Sequence, residues 1–243
     1  MNLSYRFFLP VLACTGLLLA GCSPSGTPAP SAAQQQAQAK AAAAARNLDT
    51  YRQLLRIGND QMAVTMGHDI LSRFPDSAAA GEVQKTLPAI EKRYRENSEK
   101  QRLAALWLYQ VSPMAGGTQS TATIYSSQPS GNDRVRLVLR RHTSWGLNVF
   151  LYGSGHGFVC RGNCTLMTHV DGKLRHIEAF APPSGEPALM IRHGKAFIAM
   201  LTKARKITMD VTLRDHDKKE QLVYEVGGFV PAKWKELGKQ HKK

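Results

Sequence analysis

Two cysteines and two histidines stand closest to chemistry in this chain, in the order His156-x3-Cys160-x3-Cys164-x4-His169. Three kinds of chemistry use such a set. In an oxidising compartment, a cysteine pair this close in sequence favours a disulfide that pins the Arg161-Gly162-Asn163 turn. A redox dithiol would want Cys-x-x-Cys inside a βαβ pattern, and the spacing departs from that. A zinc site would take all four side chains, although their order does not follow common finger spacings. Other motifs carry less. Gly153-Ser154-Gly155-His156-Gly157 is glycine-rich but lacks the following helix and the lysine that a phosphate cradle needs, so it reads as a β-turn. Asp215-His216-Asp217 reads as a polar hairpin turn before it reads as a metal or acid–base site. No Gly-x-Ser-x-Gly elbow and no His-Glu-x-x-His occurs. Acidic residues of the C-terminal half are not paired as glycoside hydrolysis would require. The expectation is a non-catalytic protein without a cofactor. The alternative is an envelope enzyme or zinc-binding protein centred on His156, Cys160, Cys164 and His169.

A fifth chemical position lies at the N-terminus. Arg6 precedes an apolar run, Phe7 to Ala20. At roughly 14 residues, the run is short for a bilayer span and suits a signal-peptide core. It ends in Leu19-Ala20-Gly21-Cys22, which resembles the lipobox of bacterial lipoproteins. That resemblance implies removal of residues 1–21, a diacylglyceryl thioether on Cys22 and an acylated new N-terminus. Two or three acyl chains give stable anchoring. Ser23 resembles the default outer-membrane sorting residue, which implies a periplasmic face. Residues 22–38 are mostly Ser, Pro, Ala, Gln and Gly, the composition of a flexible tether. Cys14 leaves with the signal and Cys22 carries lipid, so Cys160 and Cys164 remain to pair.

Charge narrows the partners. The formal net charge is +14, and loss of Arg6 leaves about +13. Such a balance favours anionic partners. In an envelope these are an acidic protein, an anionic lipid or a wall polymer. Nucleic acid fits the charge but not the compartment. Arg134, Arg136, Arg140 and Arg141 are the expected anion- or partner-binding residues, on one exposed strand face. Lysines 233, 235, 239, 242 and 243 add non-specific attraction.

These groups must be positioned by two kinds of structure. Residues 39–104 carry apolar side chains at helical spacing, as in Leu48-Tyr51-Leu55 and Val83-Leu87-Ile90. Gly58-Asn59 and Phe74-Pro75 interrupt them. Asp60 is the expected cap of the second helix, Asp76 or Ser77 of the third, and Pro88 is expected to kink or divide that third helix. From residue 105 the period changes to two, giving about eight or nine short strands to residue 230 with a short helix near Phe197. The predicted fold class is α+β, an N-terminal helical hairpin followed by an antiparallel β-sandwich or barrel. Residues 231–243 read as a mobile basic tail.

Two further resemblances concern fold alone. Arg73-Phe-Pro-Asp-Ser-Ala78 between two helices resembles the turn of tetratricopeptide-type repeats and of helical outer-membrane assembly lipoproteins. The β-region is similar to uncharacterised proteobacterial envelope domains through Ser112-Pro-Met114, Arg134 to Arg141, Phe158 to Cys164, Val170-Asp-Gly172 and Tyr224 to Phe229. Its strand order loosely resembles type VI secretion accessory and invasion-associated locus B proteins. These likenesses imply an envelope β-domain and name no activity.

Overall fold

A computed structural model describes residues 31–153, 157–214 and 217–238. The expected signal segment, Cys22, the Ser154-Gly155-His156 stretch, Asp215-His216 and Lys239, Lys242 and Lys243 lie outside them. The described chain opens with three helices, α1 (Ala32–Arg56), α2 (Asp60–Arg73) and α3 (Ala78–Ala105). Helix α1 starts earlier than the tether composition predicts. Ser31 forms a capping box with Gln34, and the Ala/Gln run that follows has high helix propensity. Asn59, not Asp60, caps α2, accepting from the Met62 N–H. Asp60 is thereby free to pair across to Arg93 on α3. Ser77 caps α3 as predicted, and Pro88 lies inside that helix without dividing it. Tyr51, Ala63, Ile70, Ala80, Val83 and Leu87 form the helices' own buried cluster. Gly67 lets them close up, because a Cβ there would meet Leu87 Cδ1 at 2.8 Å.

The remainder is one nine-stranded sheet: β1 (Leu108–Met114), β2 (Gly117–Tyr125), β3 (Arg136–His142), β4 (Gly146–Tyr152), β5 (Asn163–Val170), β6 (Lys173–Phe180), β7 (Ala188–Ile191), β8 (Ile207–Thr212) and β9 (Lys219–Tyr224). Their spatial order is β1-β2-β3-β4-β7-β6-β5-β8-β9, and every neighbouring pair is antiparallel. This is a barrel-like curl and not two stacked sheets. Val223 of β9 exchanges backbone hydrogen bonds with Ser127 and Gln128, just after β2. The expected strand at Phe158–Cys160 is reduced to a single bridge between Phe158 and Leu213.

Alternation explains the core. Ile124, Leu137, Leu139, Val149, Leu151, Leu189, Met209 and Leu222 all point inward. Helix α4 (Gly194–Leu201) adds Phe197 and Leu201 to that core. The C-terminal segment is docked rather than mobile as far as residue 238 describes it. Trp234 is 3% exposed and donates its indole N–H to the Ser120 carbonyl at 3.1 Å. The two cores are joined at the end of α3, where Arg102 forms a fork with Glu225 at 2.7 and 3.0 Å.

Candidate functional site

The sheet's other face gathers arginine and aromatic side chains. Register places the outward side chains of β1, β2, β3, β4 and β7 in rows across the strands. One row is Tyr125-Arg136-Tyr152-Ala188. The next is Leu108-Thr123-Val138-Phe150-Met190, and the next holds Gln110, Thr121, Arg140 and Asn148. A furrow of about 470 Å³ follows these rows. It opens at one end into a smaller polar recess of about 250 Å³ between Arg134, Arg136, Tyr125 and Tyr152.

Arginine and aromatic rings interleave along this face. Arg136 lies over both Tyr125 and Tyr152, at 5.7 and 5.1 Å from the ring centres. Arg134 covers Tyr125 at 4.8 Å, and its Nε–H donates to the Gly131 carbonyl. Arg140 sits against Trp145 and Phe150 at 5.2 and 5.0 Å. Trp145 in turn stacks on His142 at 3.9 Å. Such contacts hold a guanidinium in place while leaving its N–H groups unspent. Among the described residues, Arg134, Arg136 and Arg140 form no ion pair within 4.0 Å. The one carboxylate lining the furrow there is Glu186. Burial lowers the pKa of Arg140, and the Glu186 charge opposes that shift. The Arg140 Nε is enclosed and has no hydrogen-bond partner among the described residues.

The four arginines expected on one exposed strand face separate into three environments. Arg134 precedes β3, and Arg136 opens that strand beside it. Arg140 is half-covered by rings. Arg141 belongs to the opposite face, because adjacent strand residues alternate. It packs on Trp234 at 3.9 Å and donates to the Trp234 carbonyl at 2.8 Å.

The cysteine set is also divided. Cys160 and Cys164 lie at disulfide distance with Cα atoms 5.7 Å apart, which accounts for both sulfurs. Cys164 pairs in register with the inward Ala179, whereas His169 shares the outward row with Leu174. His169 therefore stands on the other side of β5 from Cys164, and the four-ligand zinc arrangement does not assemble. His156 lies outside the described residues. No group of three or more metal-ligating side chains comes together among the described residues.

Sequence alone does not single out the aromatic partners of the arginines. Their signal is alternation in Gln119–Tyr125 and Asn148–Tyr152, where Thr121, Thr123 and Tyr125 share one face and Asn148, Phe150 and Tyr152 another. Only register brings those two faces to either side of β3. No protein-family model, no curated protein and no solved structure matches this chain.

Proposed function

We propose that this protein is a lipoprotein, anchored through Cys22 and facing the periplasm, that works as a non-catalytic interaction module. Its binding surface is the arginine-and-aromatic face of β1–β4 and β7, and the partner is an anionic component of the envelope. The supporting observation is the pair Arg134 and Arg136, which lie open beside Tyr125 and Tyr152 with no ion pair of their own among the described residues. Both arginines line one recess, so a phosphate or carboxylate placed there meets two positive charges at once. The lipobox resemblance supports the anchor, and the net charge of +14 supports electrostatic recruitment.

Anchoring and binding are tested separately. Labelling of the full chain with a radioactive fatty acid should place label on the wild type and none on Cys22→Ser. Binding of the Cys22→Ser mature chain to protein-stripped envelope membranes and to soluble envelope proteins is then measured at low and high salt. Binding should weaken as salt rises, and Arg134→Gln with Arg136→Gln should remove the salt-sensitive part. Binding indifferent to both salt and the substitutions refutes the surface assignment.

A further inference from the structure

The furrow and the recess together define a ligand class more narrowly than an anion. We infer that the site takes a single phosphorylated amphiphile, with its phosphate between Arg134 and Arg136 and its hydrocarbon chain along the furrow floor. This rests on the anion-binding role proposed for the same arginines.

The head site follows from the recess. Arg134 and Arg136 supply guanidinium N–H groups, and Tyr125 and Tyr152 line the same space. Planar guanidiniums pair with phosphate oxygens through two parallel hydrogen bonds, which suits a head group fixed in orientation.

The chain site follows from the neighbouring row. Leu108, Val138, Phe150 and Met190 cross five adjacent strands with only the Thr123 hydroxyl among them. Arg136 stands on β3, the middle strand of that row, so a chain that starts beside it has two inter-strand steps, about 10 Å, on either side. A peptide backbone laid along the row would lose water from its amides and find almost nothing to bond. A hydrocarbon chain meets no such cost. A flat bilayer surface is the wrong shape, because Val138 on the floor is only 6% exposed. The rim is apolar too. Leu108, Met114, Tyr125 and Trp145 are all exposed large hydrophobic side chains on this one face, the kind of cluster that marks a binding site. Glu186 lines the furrow and its charge acts on Arg140, whereas among the described residues no carboxylate lines the recess, so the charge available to a ligand sits there.

The test uses the mature chain with Cys22→Ser, titrated by calorimetry and by Trp145 fluorescence. Probes are decyl and octyl phosphate below their micelle concentrations, inorganic phosphate, and decyl maltoside with its uncharged head. Decyl phosphate should bind one to one. It should bind more tightly than octyl phosphate, by between about fourfold and fifteenfold, given roughly fourfold per fully buried methylene. Arg136→Gln should weaken it about tenfold or more. Leu108→Asn with Met190→Gln should weaken decyl phosphate while leaving inorganic phosphate unaffected. Equal affinity for inorganic and decyl phosphate overturns the amphiphile and leaves the anion site standing. Equal affinity for decyl maltoside overturns the anion site itself. If no probe binds while envelope binding still depends on Arg136, the inference fails and an acidic protein is the partner.

Discussion

Gly228→Ala should pull the helical and β-regions apart. Residues Val226–Gly228 form a 3-10 turn against the last turn of α3. A Cβ at Gly228 would lie 2.1 Å from both the carbonyl carbon and oxygen of Leu103 and 2.4 Å from the Ala104 nitrogen. Ordinary contact begins near 3.4 Å, so the two segments must separate by about 1.3 Å. Both sides of the clash are backbone, so no rotamer change relieves it. The same shift draws Arg102 away from Glu225. Inserting a methylene into a packed site costs about 1–3 kcal/mol, and backbone on both sides places this site near 3. For a chain of this size each kcal/mol moves Tm by about 2–4 °C, giving a fall of roughly 6–12 °C. All three tryptophans belong to the β-region, so fluorescence follows that region, while far-ultraviolet circular dichroism is dominated by α1–α3. The wild type should unfold with coincident transitions and Gly228→Ala with separated ones. Gly81→Ala is the control. It sits within α3 with open space around its Cβ and should stabilise by about 0.5–1 kcal/mol. An unchanged Tm with coincident transitions in Gly228→Ala would refute the view that this turn couples the two cores.

Three further outcomes are expected. Tyr224 is wholly enclosed, its hydroxyl has no hydrogen-bond partner among the described residues, and burial pushes its pKa well up; Tyr224→Phe should therefore raise stability by about 1 kcal/mol in urea unfolding, and a loss would show that the hydroxyl is bound. The Cys160–Cys164 loop is short, so Cys160→Ser with Cys164→Ser should cost only about 2 kcal/mol, and a thiol assay on unreduced wild type should find neither sulfur free. The Arg93 guanidinium holds the Asp60 carboxyl below the usual carboxylate range, outweighing the opposing effect of burial. A depressed folded value means that this stabilisation is complete above the unfolded value of about 3.9 and is lost as pH falls through the folded value. Helix unfolding measured from neutral pH into that acid range should steepen in the wild type and flatten in Asp60→Asn; equal slopes would remove Asp60 as a source.

Much of the fold is legible because it depends on local rules. Ser77 reads as a cap from its position before an apolar run, and it caps α3. Strands β3 and β8 read from strict alternation, with Leu137, Leu139, Ile207 and Met209 inward. Asp171-Gly172 reads as a hairpin, and both residues adopt positive φ between β5 and β6. The start of α1 is missed because Ala and Gln serve both tethers and helices, and a capping box needs only Ser31 and Gln34 to decide between them. The docking of Trp234 is missed because its partners, Ser120 and Arg141, lie far off in sequence.

The arginines show where local reading stops. Alternation alone already separates Arg140 from Arg141, since neighbours on a strand cannot share a face. It also separates the inward Leu137 and Leu139 from Arg136 and Arg140. What it cannot supply is the identity of the cross-strand neighbours. Arg136 stands directly between Tyr125 and Tyr152 only because β2, β3 and β4 pair in one register. A slip of one residue would turn the inward side of a flanking strand toward it. Ile124 or Leu151 would then replace a tyrosine, and burial of those two in the core forbids it. The register of the outer face is thus fixed by the packing of the inner one. The recess lined by Arg134 and Arg136 is a consequence of the core, so a core substitution that loosened β2–β4 pairing should weaken the proposed anion binding without touching an arginine.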